Sequence, residues 1–343
     1  MKTRGRVAGL LLGLGLLAGA ASWSPVTVPA GWPLPAYAYR GNRPTAAGFA
    51  LGRRLFYEPA LSRDGSTSCA SCHGPTAAFA HNDHRLSHGI GGRTGRRNAP
   101  TLQNLAWSTS LHWDGGVSNL EVQAVSPISH PDEMDLPLRQ AEARLNAMPR
   151  YRARFARAFG GDSVVTGQRL LQALAQFTGA LVSSNAKYDK YVRHELGGGL
   201  SPAELSGLAL FERHCASCHP APLFTTGGFA NNGLPPDSIL RDAGRAAVTG
   251  LAADSFRFKV PTLRNVEFSG PYMHDGRFRT LHQAIQHYTS GTIRLSRTLA
   301  PQLRRPVVLS VDEQRDLLLF LFTLSDPQFL RDPRWQYQPD DVD

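Results

Sequence analysis

Cysteine is scarce: the 343-residue chain holds four. So few thiols over such a length would staple very little, which argues against a disulfide framework. Lysine and arginine exceed aspartate and glutamate, 37 against 27. No Lys/Arg-rich run with interleaved aromatics appears, so nucleic-acid binding is not expected. No region is rich in strand-type alternation. The apolar stretch Val7 to Leu17 is short of the about 20 residues a membrane-spanning helix needs, and no cysteine follows it to carry a lipid. With Lys2, Arg4 and Arg6 before it and Ala18-Gly19-Ala20 after it, residues 1–21 read as a cleavable secretory signal rather than a membrane anchor.

The four cysteines that are present spell one pentapeptide twice: Cys69-Ala70-Ser71-Cys72-His73 and Cys215-Ala216-Ser217-Cys218-His219. Cys-x-x-Cys-His is the attachment signature of c-type haem. The two thiols add to the porphyrin vinyl groups and the adjacent histidine becomes the proximal iron ligand. A zinc site wants four ligands per metal, and a redox dithiol has no need of the following histidine. Two identical copies with no spare cysteine point to two covalently bound haem c groups, held by Cys69, Cys72 and His73 and by Cys215, Cys218 and His219. Such attachment takes place outside the bacterial cytoplasm, so the signal and the motif agree on a periplasmic protein without stable membrane insertion. Losing Lys2, Arg4 and Arg6 with the signal lowers the formal charge of +10, and haem propionates neutralise part of the remainder.

One motif in each half suggests two haem domains from a duplicated ancestor, spanning residues 40–196 and 200–330, joined near Gly197-Gly198-Gly199. Thr45 can cap a helix through Tyr57 with Phe49, Leu51 and Leu55 buried. Helical spacing runs from Leu138 to Phe159 with a break near Pro149, and from Val164 to Ser183. Ser201-Pro202-Ala203-Glu204 and Ser310-Val311-Asp312-Glu313 are capping boxes, and Thr280 opens a short helix ending near Tyr288. Gly74 to Pro100 and Phe224 to Thr249 read as loops. The expected fold is mainly α: two cytochrome c-like haem domains with long loops, and an interdomain interface between the haems.

Several further stretches carry a resemblance. They are Leu55-Phe56-Tyr57 through Leu61-Ser62-Arg63-Asp64-Gly65, Arg97-Asn98-Ala99-Pro100-Thr101-Leu102, Trp113-Asp114-Gly115 and Pro131-Asp132-Glu133-Met134. Phe258 to Asn265 and Pro271-Tyr272-Met273-His274-Asp275-Gly276 complete the set. Over about residues 45 to 325 the chain resembles the bacterial dihaem cytochrome c peroxidases and, more closely, their MauG-like branch. The resemblance implies that the N-terminal haem reacts with hydrogen peroxide and the C-terminal haem passes electrons from a small donor, a cytochrome c or a cupredoxin. It implies Glu133 as the distal-pocket acid, Gln123 and Pro127 lining that pocket, and Trp113 between the haems. Tyr288 falls where the peroxidases place a Met ligand to the second haem and where the MauG branch has Tyr. Asn98, Ser269 and Pro271 match positions around an interdomain calcium ion. Arg213 departs from the MauG branch, which has Trp there. His88 lies near a loop histidine that closes the first haem in ordinary peroxidases.

These residue types suit the chemistry. A carboxyl in a mostly apolar pocket has a raised pKa and can shuttle a proton, as Glu133 would. Trp113 either relays electrons or packs two domains together. Tyr288 as phenolate favours ferric iron, whereas Met273, a rival ligand, favours ferrous. His274 reads as a propionate partner, and His81 and His84 as solvated loop residues. Three functions compete: a peroxide-reducing enzyme, MauG-type oxidation of residues on a protein partner, and a plain dihaem electron carrier.

Overall fold

A computed structural model describes residues 26–339; the expected signal at residues 1–21 lies outside the described residues. The N-terminal lobe contains α1 (Ala46–Phe56), α2 (Cys69–Cys72), α3 (Val125–Ser129), α4 (Leu138–Asn146), α5 (Pro149–Phe159) and α6 (Gly167–Gly179). A connecting helix, α7 (Lys187–Val192), leads to α8 (Pro202–His214), α9 (Ala246–Thr249), α10 (Leu281–Thr289), α11 (Val311–Phe322) and α12 (Pro327–Arg331). Two strands of two residues each, β1 (Phe229–Ala230) and β2 (Phe258–Lys259), pair antiparallel.

Local chemistry sets the helix starts. Thr45, Ser201, Thr280 and Ser310 have extended backbones, and each hydroxyl accepts from the amide three residues on. That satisfies donors a helix leaves orphaned at its first turn. The helix expected over Val164–Ser183 is shorter, because Thr166 takes the cap by accepting from the Arg169 amide at 3.2 Å.

Each lobe is built on one crossing of two helices. In the first, α1 meets α6 at Gly52, where an added Cβ would lie 1.9 Å from the Ala173 carbonyl oxygen. In the second, α8 meets α11 at Gly207, where it would lie 2.0 Å from the Asp316 carbonyl oxygen. Only glycine permits backbones that close. Around these crossings lie two apolar cores, one including Leu55, Phe56, Phe79 and Phe177, the other Phe211, Phe224, Phe320 and Leu324.

The lobes are joined by a buried polar seam and by exchanged chain ends. Arg264 makes a bidentate pair with Asp189 at 2.7 and 2.8 Å. Asn104 exchanges bonds with the Ser183 backbone, at 3.1 Å from its amide nitrogen and 3.0 Å to its oxygen. Asn265 donates to the Ser183 hydroxyl at 3.0 Å and accepts from the Asp326 amide at 2.7 Å. The N-terminal approach reaches the second lobe, where the Arg264 guanidinium sits 4.5 Å over Trp32. The C-terminal end returns to the first: Phe329, Leu330 and Trp335 belong to its core. Among the described residues no helix is long and apolar enough to cross a membrane.

Candidate functional site

Both pentapeptides adopt the same turn. His73 donates its amide to the Cys69 carbonyl and His219 to the Cys215 carbonyl, each at 2.9 Å. The first motif hangs on a loop after α1, while the second continues directly from α8. All four thiols are free of disulfides. Burial pushes the Cys69 and Cys215 thiols up to about 12. Each imidazole binds a backbone carbonyl through Nδ1: His73 to Phe79 O at 2.7 Å and His219 to Phe224 O at 3.1 Å. Burial lowers both, His73 to about 4. A neutral imidazole with Nδ1 engaged leaves Nε2 to bind a metal.

A cavity of about 390 Å³ opens beside the second motif and reaches the interface between the lobes. Its wall carries Cys215, Cys218 and His219, apolar Leu263, Leu281, Ile285 and Leu321, and Trp113 from the first lobe. Thiols, a neutral imidazole and an apolar slot of this size fit a covalent haem. Lys259 also lines it; burial pulls its amine down to about 8, and Nζ donates to Ser110 O at 3.2 Å. Such a group suits a propionate.

Asn232 sets the far side of this cavity. Its amide nitrogen lies 3.3 Å from Met273 Sδ and 3.3 Å from the Tyr288 hydroxyl, so both rival ligands converge on one point. Its own carbonyl accepts from His287 at 3.0 Å. Burial pushes the Tyr288 phenol up to about 12, so the neutral protein keeps it protonated; a bound cation reverses that sign. Nothing in the sequence singled out Asn232, which is a polar loop residue beside another asparagine.

Trp113 spans the interface. Its indole donates to Asn98 O at 2.8 Å, and its carbonyl accepts from Lys259 N at 2.7 Å. Asn98, Ser269 and Pro271 line the same cavity, and the Asn98 amide donates to His274 O at 2.8 Å. His274 stacks on Phe258 at 3.6 Å.

Near the first motif, α3 gathers the remaining residues. Gln123 lies just before it, Pro127 within it, and the Met134 amide returns to Pro127 O at 3.1 Å, which places Glu133 above that turn. Glu133 is half-buried, and desolvation holds its carboxyl above the usual carboxylate range. Ile90 N donates to Glu133 O at 2.8 Å, which sets it beside the loop that follows the first motif. The His88 carbonyl accepts from Cys72 Sγ at 3.3 Å. His84 is exposed as expected, but His81 is not solvated: it is 8% exposed and its Nδ1 has no partner. Its ring closes a cluster with His84 at 5.4 Å and His88 at 6.1 Å. The loop folds back through the Gly74–Ala80 bridge, which carries His81 inward.

The two sites are built alike. Pro100-Thr101-Leu102-Gln103-Asn104 and Pro261-Thr262-Leu263-Arg264-Asn265 share all but one residue, and both asparagines are left-handed, at φ +59° and +54°. His112 and Met273 precede matching Asp-Gly turns and are left-handed too, at +63° and +75°.

The family pattern described as di-haem cytochrome c peroxidase matches residues 46–196. The methylamine utilization protein MauG of Methylorubrum extorquens is 37% identical over 288 residues, covering 83% of this chain and 80% of that one. The cytochrome c551 peroxidase of Nitrosomonas europaea is 38% identical over 283 residues, covering 81% and 80%. A solved MauG-like protein associated with microbial copper homeostasis superposes with a TM-score of 0.82 at 29% identity, covering 90% of this chain and 97% of the other. Paired attachment motifs in a duplicated helical frame, matched along most of the length of such relatives, mean that the chain belongs to the di-haem cytochrome c peroxidase family and is an oxidoreductase built for two haem c groups.

Proposed function

We propose that the chain is a periplasmic enzyme that reduces hydrogen peroxide at the first motif, with electrons entering at the second from a small redox protein. When bound, the haem groups supply electron storage and peroxide activation. The net reaction takes two electrons and two protons and turns one peroxide into two waters. The protein's part is proton movement and positioning. Glu133 takes a proton from one peroxide oxygen and returns it to the other, so that the departing oxygen leaves as water. Gln123 and Pro127 shape the space over which it acts. Trp113 provides an aromatic bridge between the lobes. Asn98, Ser269 and Pro271 hold a calcium ion that ties the lobes together.

The observation that carries this reading is the half-buried Glu133 carboxyl beside the first motif: Ile90 N donates to Glu133 O at 2.8 Å, Cys72 Sγ donates to His88 O at 3.3 Å, and burial raises the carboxyl's pKa above the usual carboxylate range. A plain electron carrier has no use for such a group. The test is peroxide turnover with a small neutral reductant. Glu133→Gln keeps the shape and removes the titrating group, so turnover should fall by about 10²-fold with both haem spectra retained. Turnover within about twofold of the wild type would overturn the proton-transfer role.

A second reading, peroxide-dependent oxidation of residues on a protein partner, draws support from Tyr288 at the cavity beside Asn232. Arg213, where the MauG branch carries tryptophan, speaks against it.

A further inference from the structure

The basic residues of this chain are unevenly placed. From Gly276 to Val311 there is no aspartate or glutamate, yet Arg277, Arg279, Arg294, Arg297, Arg304 and Arg305 all fall there. Arg277 is spent on the buried Asp275 at 2.5 Å. Arg294, Arg297, Arg304 and Arg305 lie on the long connection between α10 and α11; all four are exposed, and among the described residues none has a carboxylate within ion-pair reach. The nearest acids in the chain are already engaged: Asp312 pairs with Arg315 at 2.9 Å, and Glu313 caps Ser310 N at 2.8 Å.

This connection is no slack loop. Arg294 N donates to Gly233 O at 2.8 Å, Ala300 N to Asn231 O at 2.9 Å, and Asn231 Nδ2 to Thr298 Oγ1 at 2.8 Å. Its inner side lines the second motif's cavity through Ala300, Leu303 and Leu309. Its outer side exposes Leu295 and Val308, at 74% and 80%. Apart from one short 3-10 turn at Pro301–Arg304 the connection has no helix or strand of its own, and an ordered connection of this length is usually functional. Apolar side chains set among unpaired arginines, one layer outside the cavity, have the make-up of a docking face: apolar contact for fit, rim charge for capture.

We infer that the 290–310 connection is the docking surface for an acidic electron-donating protein. The inference rests on the proposed entry of electrons at the second motif and adds the sign of the partner's charge. Unpaired arginines attract a negative protein at long range and repel a positive one, and salt weakens both effects.

The dihaem protein is mixed at low ionic strength with reduced forms of two small donors, an acidic plastocyanin and a lysine-rich cytochrome c, and peroxide-driven donor oxidation is followed. The acidic donor should react at least about 10-fold faster, and its rate should fall as salt rises. Arg304→Glu combined with Arg305→Glu should cancel or invert that preference, leaving turnover with a small neutral reductant unchanged. A faster reaction of the basic donor, a rate that rises with salt, or a double variant that keeps its preference within about twofold would overturn the docking surface. Loss of turnover with the neutral reductant in the wild type would instead count against the peroxidase reading. Calorimetric binding of the two oxidised donors then still decides the surface: tighter binding of plastocyanin supports it, and equal or weaker binding overturns it.

Discussion

Burial acts in the same direction on the two acids proposed for the haem sites: it raises the pKa of the Glu133 carboxyl and of the Tyr288 phenol. For Glu133 the consequence is a pH dependence. Its carboxylate must be present to accept a proton, and that form disappears as pH falls through a pKa raised above the ordinary carboxylate range. The acid limb of kcat/KM for peroxide should therefore lie above that range and vanish in Glu133→Gln; a pH-rate profile checks it. For Tyr288 the phenol needs a cation to release its proton. Tyr288→Met should raise the second haem's potential, read by a redox titration, and abolish any spectral response of the fully ferric protein to peroxide without prior reduction. Both residues were open to inspection because motif and resemblance give them numbers. Asn232, which brings Met273 and Tyr288 to one point, was not, since an asparagine in a loop has no periodicity to betray it. His81 looked solvated for the same reason: loop polarity says nothing about which way a bridge such as Gly74–Ala80 turns the chain.

Helices whose starts depend on neighbouring residues were legible. Thr45, Ser201, Thr280 and Ser310 cap where their side chains dictate, because the amide they capture is three residues away. The crossings were not legible, since Gly52 and Gly207 acquire their meaning only from Ala173 and Asp316, more than a hundred residues on. Their tightness gives a prediction. In Gly207→Val the branched side chain meets the Asp316 carbonyl and Phe320, and α8 must move away from α11. Overpacking of this kind costs about 1–3 kcal/mol. Because α8 runs directly into Cys215, the loss should appear both in thermal unfolding and as a broadened second-haem spectrum, with the first haem little changed. The Pro-Thr-Leu-x-Asn pentapeptide stands twice in the sequence, yet only the structure draws out the repeat, because its use as a seam between lobes is a tertiary fact.

The molecule holds together through that seam. Arg264 and Asp189 are both buried, with the guanidinium bonded twice to the carboxylate and sandwiched against Trp32 and Phe224. Arg264→Leu leaves the buried Asp189 without a cation, its remaining bond being the Ala186 amide at 2.8 Å, and breaking a buried pair in this way costs about 3–5 kcal/mol. Denaturant unfolding should register that loss, whereas Arg63→Leu, whose pairing with Asp135 is surface-exposed, should change stability by about 1 kcal/mol or less. Calcium removal tests the proposed third link between the lobes, at Asn98, Ser269 and Pro271: chelation should lower the melting temperature.

The returning tail has a consequence for how the protein is made. Phe329 lies 5.9 Å from Phe79, and Trp335 lies 6.0 Å from Phe49, so residues synthesised well after the second motif complete the lobe that begins first. A chain emerging from its N-terminus cannot close that lobe early. The first core therefore stays incomplete until Cys215 and Cys218 have been made too, so that both attachment motifs are present on the chain before the first core seals.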